Sequence, residues 1–78
     1  MSKHISNDYV KLVKLNMQRL KKEKNWTITK MALLIDISDS YLAHLLSLKS
    51  NKVPSIQLLG LIADKAKVPI TYFFKNID

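Results

Sequence analysis

Residues 28–46 read ITKMALLIDISDSYLAHLL and contain no proline, glycine or arginine. Their apolar pattern therefore describes either one long helix or two helices with a break. Met31, Leu34 and Ile35 fall on one helical face and Ala32 permits close approach of a neighbour. The rhythm fails at Asp36-Ile37-Ser38, where Ser38 is a good N-cap and Asp39 sits where a carboxylate favours the positive end of a helix dipole. Thr27 supplies a cap of the same kind for the first half. The segment thus predicts two helices, Ile28 to Ile35 and a second capped by Ser38, joined by a short turn. In the second helix Tyr41, Leu42, Leu45 and Leu48 share one face with Leu46 at its edge, while Asp39, Ser40, Ala43, His44 and Ser47 lie on the other.

The flanking sequence is helical as well. Ser6 or Asn7 can cap a helix running to about Lys24, with Val10, Val13, Met17 and Leu20 as its core stripe beside Tyr9. Lys11, Lys14, Lys21 and Lys22 are expected together as a basic flank, and Leu12 and Leu15 widen the apolar arc. After the polar loop KSNKVP, Ser55 caps a helix from Ile56 to about Lys67 with Leu59, Ile62, Ala63 and Ala66 inward. Pro69 ends it and allows a last helical turn that packs Ile70, Phe73 or Phe74. Alternating β-branched runs are missing, and Gly60 is the one glycine, which leaves little material for hairpin turns. The expected class is all-α, in one domain over residues 8–78 behind a flexible tail of residues 1–7.

The totals narrow the function classes. The chain has 78 residues, a net charge of +7 and no cysteine. A chain of this size buries roughly 60% of its unfolded surface, enough for one small core. Without cysteine there is no disulfide framework and no thiolate metal site, and His4 and His44 are far apart, so no metal site and no cofactor are expected. No apolar run approaches the roughly 20 residues that span a bilayer, and the N-terminus lacks the apolar core of a signal peptide; no membrane association and a cytoplasmic location are the expectation. No paired nucleophile and base, glycine-rich phosphate loop or carboxylate pair can be assembled, so an enzyme is not expected. The positive charge fits a polyanionic partner, though a charge run such as Lys21-Lys22 or Lys65-Lys67 is also the ordinary look of a solvated face.

A short helix, a tight turn and a second helix with a polar outer face form the helix-turn-helix arrangement. The runs WTITKMALLIDISDSYLAHLL and PSIQLLGLIADKAKVPITYFF resemble the Cro and phage-repressor type, the XRE-like family of bacterial and phage regulators, over roughly residues 13–74. The likeness is strongest at Met31-Ala32, Ile37-Ser38 and Pro54-Ser55. It implies a compact five-helix, lambda-repressor-like DNA-binding domain. The chain departs from the family at Ile28, where glutamine is common, and at Asp36, where glycine is common. Leu46, Ser47 and Leu48 replace a glutamate-arginine-glycine ending whose ion pair with the first helix, at Lys21, cannot form; the loop before Pro54 is slightly longer than usual.

The resemblance places base contacts on Asp39, Ser40, Tyr41, Ala43 and His44. Ser40 and His44 can donate or accept, Asp39 can accept from cytosine, and Ala43 or Tyr41 can touch a thymine methyl; no arginine is present for a bidentate guanine contact. Asp39 equally suits a helix start, and Tyr41 equally suits packing. Phosphate contacts are expected from Thr27, Thr29 and Lys30, and from Ser47, Lys49, Ser50, Asn51 and Lys52. The family usually works as a two-fold dimer, for which Leu58, Leu61, Tyr72, Phe73 and Ile77 are candidate interface residues, or else members of the core. The expected function is a sequence-specific transcriptional regulator, most simply a repressor of phage, plasmid or bacterial origin, with double-stranded DNA and a second copy as partners. The competing expectation is a protein-interaction module, such as an antirepressor or a regulator controlled by a protein partner, with weak DNA binding of its own.

Overall fold

The computed structural model describes residues 2–76, with side-chain surroundings from Tyr9 onward. It contains four α-helices, α1 (Ser2–Glu23), α2 (Ile28–Leu34), α3 (Asp39–Leu46) and α4 (Ile56–Ala66), and closes with a 3₁₀ helix, Ile70–Phe74. The fifth element of the expected five-helix domain is therefore a 3₁₀ turn. Helix α1 starts ahead of the Ser6 and Asn7 caps that the sequence offers.

Three expected N-caps form. The hydroxyl oxygens of Thr27, Ser38 and Ser55 each accept from a backbone N–H three residues on, those of Lys30, Tyr41 and Leu58, all at 3.0 Å. Each such cap is worth about 1 kcal/mol. The C-terminal ends of α1, α2 and α4 close by one shared backbone device. Asn25, Asp36 and Lys67 adopt left-handed φ values of 60°, 59° and 59°. Just beyond them the N–H groups of Trp26, Ile37 and Val68 reach back to the carbonyls of Lys21, Ala32 and Ala63, each at 3.0 Å. These are Schellman closures, in which a residue that tolerates positive φ turns the chain and pairs the last carbonyls. Asp36 thus does the turn's work where the family commonly has glycine. A left-handed lysine, by contrast, carries the Cβ penalty in full.

The core comprises Val13, Met17 and Leu20 of α1, Met31, Ala32 and Ile35 around α2, Leu42, Leu45 and Leu46 of α3, Leu59, Ile62, Ala63 and Ala66 of α4, and Tyr72 and Phe73. Helix α1 packs on both α3 and the 3₁₀ turn, α2 packs on α3, and α4 packs on the 3₁₀ turn. Two polar residues of α1 are buried. Asn16 donates through Nδ2 to the carbonyls of Phe73 and Lys75 at 2.8 and 2.9 Å, stitching the C-terminal turn to α1. Its Oδ1 is buried with no partner among the described residues. The second is Lys14, expected on the basic flank and instead only 1% exposed. Leu48 is corrected in the opposite sense: α3 ends at Leu46, so Leu48 lies beyond the helix and is 46% exposed.

Candidate nucleic-acid interface

Helix α3 has eight residues, a rod about 12 Å long. Leu42, Leu45 and Leu46 bury its inner side, while Asp39, Ser40, Tyr41, Ala43 and His44 are exposed. All five residues expected to read bases therefore share one outward surface, and Tyr41 reaches solvent instead of the core. A helix of this diameter fits the major groove, which is about 12 Å wide. At the start of the helix the Thr29 hydroxyl donates to Asp39 Oδ2 at 2.7 Å. Asp39 therefore both faces the positive end of the α3 dipole and links α3 to α2.

The other end of α3 is held by α1. Lys14 Nζ donates to the carbonyls of His44 and Ser47 at 3.0 and 2.9 Å, and Gln18 Nε2 donates to the carbonyl of Leu46 at 2.6 Å. Lys14 and Gln18 are four residues apart and lie on one face of α1. Ser47 leaves the helix in an extended conformation, φ −78° and ψ 130°, so no left-handed residue closes α3. A cation at this end also opposes the negative pole of the helix dipole. Burial lowers the Lys14 pKa from its ordinary value, because desolvation disfavours the ammonium. The family's ion pair between α1 and the end of α3 is thus replaced by amine and amide donors onto the carbonyls of His44, Leu46 and Ser47, of which those of His44 and Ser47 also accept from the N–H groups of Ser47 and Ser50 at 3.3 Å. Sequence reasoning missed both residues, since Lys14 looks like any helix-surface lysine.

The candidate phosphate contacts gather at two places. Thr27, Thr29 and Lys30 are exposed at the start of α2, although the Thr27 oxygen is engaged as a cap and Thr29 donates to Asp39. After α3, Lys49, Asn51 and Lys52 are exposed and Ser47 and Ser50 are half-buried. The Ser47 and Ser50 hydroxyls accept from the N–H groups of Lys49 and Lys52 at 3.2 and 3.1 Å, which shapes the loop. Two open basic clefts are present, one reaching Leu46 at the end of α3 and one against the loop that follows it. One, about 530 Å³, is lined by Lys21, Lys22 and Asn25 of the α1 end with Trp26 and Ile28; the other, about 380 Å³, has Lys11 and Lys14 of α1 facing Lys49. Lys11, expected on one basic flank with Lys21 and Lys22, instead lines the cleft beside the loop after α3, apart from those two.

The expected dimer residues are dispersed. Tyr72 and Phe73 are buried in the domain's own core, Leu58 is half-buried against it, and Leu61 is exposed; Ile77 lies outside the described residues. Tyr72 donates to Glu23 Oε1 at 2.5 Å, and Lys75 Nζ lies 5.0 Å from its ring centroid. Its phenol pKa is pushed up to about 12, first by burial and then by the Glu23 carboxylate, with Arg19 opposing. Four of the large exposed apolar side chains, Tyr9, Val53, Ile56 and Phe74, line a separate shallow groove, while Leu33, the most exposed, stands apart from it on α2.

Among the described residues no group of three His, Cys, Asp or Glu is placed to hold a metal ion, and no helix is long and apolar enough to cross a membrane. A family model described as helix-turn-helix matches residues 17–73, which takes in the end of α1, all of α2, α3 and α4, and most of the 3₁₀ turn. No curated protein and no solved structure matches the chain.

Proposed function

Because the chain belongs to the XRE-like helix-turn-helix family of DNA-binding transcription regulators, we propose that it acts in the cytoplasm as a repressor, occupying an operator sequence as a homodimer with α3 in the major groove. The observation that carries this reading is the state of α3. Its polar side is exposed, its apolar side is buried, and both of its ends are fixed, by Thr29 and Ser38 at the start and by Lys14 and Gln18 at the finish. Base discrimination needs side chains held in register with the groove, and a helix pinned at both ends supplies that.

In this reading Ser40 and His44 hydrogen-bond to base edges, and Ala43 and Tyr41 contact thymine methyl groups. Lys30, Lys49 and Lys52 meet the phosphates and supply most of the affinity by releasing counterions, aided by Asn51, Thr27, Ser47 and Ser50; Thr29, whose one hydroxyl proton goes to Asp39, has none left for a phosphate. One module of this size covers a single half-site, so two copies bind half-sites about 34 Å apart. Leu61, the exposed member of the expected dimer set, is the contact to change first.

Titration of duplex DNA from beside the protein's own gene at two salt concentrations, followed by gel mobility, tests the reading. Saturable binding that weakens steeply with salt is expected. No binding at low salt contradicts it and favours instead the protein-interaction reading, for which the groove of Tyr9, Val53, Ile56 and Phe74 is the natural surface. Sedimentation of Leu61→Glu addresses the dimer: monomers are expected, and an unchanged dimer places the interface elsewhere.

A further inference from the structure

The Thr29–Asp39 hydrogen bond joins two exposed side chains, one on α2 and one on α3. An exposed bond of this kind adds little to stability. What it fixes is the direction of a carboxylate on a surface with no arginine. Resting on the DNA-binding reading above, we infer that Thr29 is a positioning residue that makes Asp39 a selector for cytosine at one position of each half-site.

An ionised carboxylate only accepts hydrogen bonds. Thr29 occupies Oδ2, and among the described residues Oδ1 has no partner, so one acceptor remains for an incoming base. In the major groove cytosine offers its N4 amino group with no acceptor beside it on the same base. Guanine offers N7 and O6, thymine offers O4, and adenine places the acceptor N7 next to its amino group; each of these sets a lone pair against the carboxylate. Asp39 therefore attracts one base and repels the others, which is selection by rejection as much as by contact. Thr29 stands in the first turn of α2, two residues after the Thr27 cap. The carboxylate is thereby referenced to a second helix and not left to its own rotamers, and preorganisation of this kind is what converts a possible contact into discrimination.

The test is selection from a randomised duplex pool by the full chain, with sequencing of the bound fraction, for the wild type, Asp39→Asn, Thr29→Val and Thr29→Ser. The wild type is expected to enrich cytosine at a fixed position. Asp39→Asn loses that preference by about tenfold and moves it toward adenine, which an amide can bond at both N6 and N7. Thr29→Val reduces the cytosine preference several-fold with an unchanged salt dependence, and Thr29→Ser, which keeps the hydroxyl, restores it. Circular dichroism melting accompanies each variant, because a residue that only favours the helix start alters melting and leaves base preference alone. A cytosine preference that survives Asp39→Asn, a Thr29→Val profile identical to the wild type, or a selected site without cytosine overturns the inference while leaving DNA binding intact. Failure of the wild type to bind any duplex at low salt overturns the DNA-binding reading and the inference with it.

Discussion

Helices α2 and α3 differ by one residue in length, seven against eight, and end in different ways. Helix α2 closes with its own chain: Asp36 turns left-handed, and the N–H groups of Asp36 and Ile37 take the carbonyls of Leu33 and Ala32. Helix α3 has the Ser47 N–H of its own chain on the carbonyls of Ala43 and His44, but no left-handed turn, and takes its remaining closure from another helix, through Lys14 and Gln18 of α1. A local closure sets where a helix stops. A remote closure also sets where the helix points, because the donors belong to the body of the domain. The helix that presents the candidate reading surface is the one aimed by α1.

The sharpest way to separate the two kinds of closure is Lys14→Met, which keeps the packed stem and removes the donors. The carbonyls of His44 and Ser47 keep only the N–H groups of Ser47 and Ser50, both at 3.3 Å, and loss of the charged donor is expected to cost about 2 kcal/mol. Chemical unfolding measures this, and the loss is large for a domain whose whole stability is only several kcal/mol. A cost below about 0.5 kcal/mol would mean that α3 closes without α1.

Tyr72 makes another remote connection, from the 3₁₀ turn to Glu23 at the end of α1. Its folded pKa of about 12 lies above the ordinary tyrosine value of 10.0. The folded state therefore holds the phenol proton after the unfolded chain has released it. The associated stability is complete below pH 10 and is lost as pH rises from about 10 to about 12. Tyr72→Phe should cost on the order of 1–2 kcal/mol at neutral pH and show a smaller decline than the wild type across that window. Parallel declines would remove Tyr72 from the pH dependence.

Smaller and opposite in sign is the prediction for a local closure. Lys67 holds φ 59° at the end of α4, while the one glycine, Gly60, sits inside that helix with nothing within 4 Å of where a Cβ would stand. Lys67→Gly should stabilise by about 1 kcal/mol by relieving the left-handed strain, and Gly60→Ala by about 0.5–1 kcal/mol by restoring helix propensity. Thermal melting reads both, and a fall in either would mean that α4 ends or packs differently.

The same distinction explains what the sequence disclosed. Thr27, Ser38 and Ser55 were readable as caps because a cap acts within its own turn, and Met31, Leu42 and Ile62 were readable as core because apolar periodicity is local. The break at Asp36-Ile37-Ser38, and with it the outward face from Asp39 to His44, followed from those signals. Lys14 and Asn16 were not readable. Their bonds span 30 or more positions, to His44, Ser47, Phe73 and Lys75, and residue type alone places both in solvent. Tyr72 and Phe73 were ambiguous for a related reason: apolar side chains near the end of a chain suit a core and an interface equally, and only packing on α1 and α4 assigns them to the core. Thr29 and Asp39 looked like separate surface residues until the turn between α2 and α3 brought them together.

What remains to be measured is whether the outward face of α3 reads bases. Wild type and the Ser40→Ala/His44→Ala double variant should be titrated against the selected duplex and against a scrambled duplex of equal length and composition. The double variant is expected to lose about tenfold or more in affinity for the selected duplex and to keep its affinity for the scrambled one, because base contacts specify whereas phosphate contacts act on all sequences alike. An equal loss on both duplexes, or no loss on either, would contradict a reading role for α3.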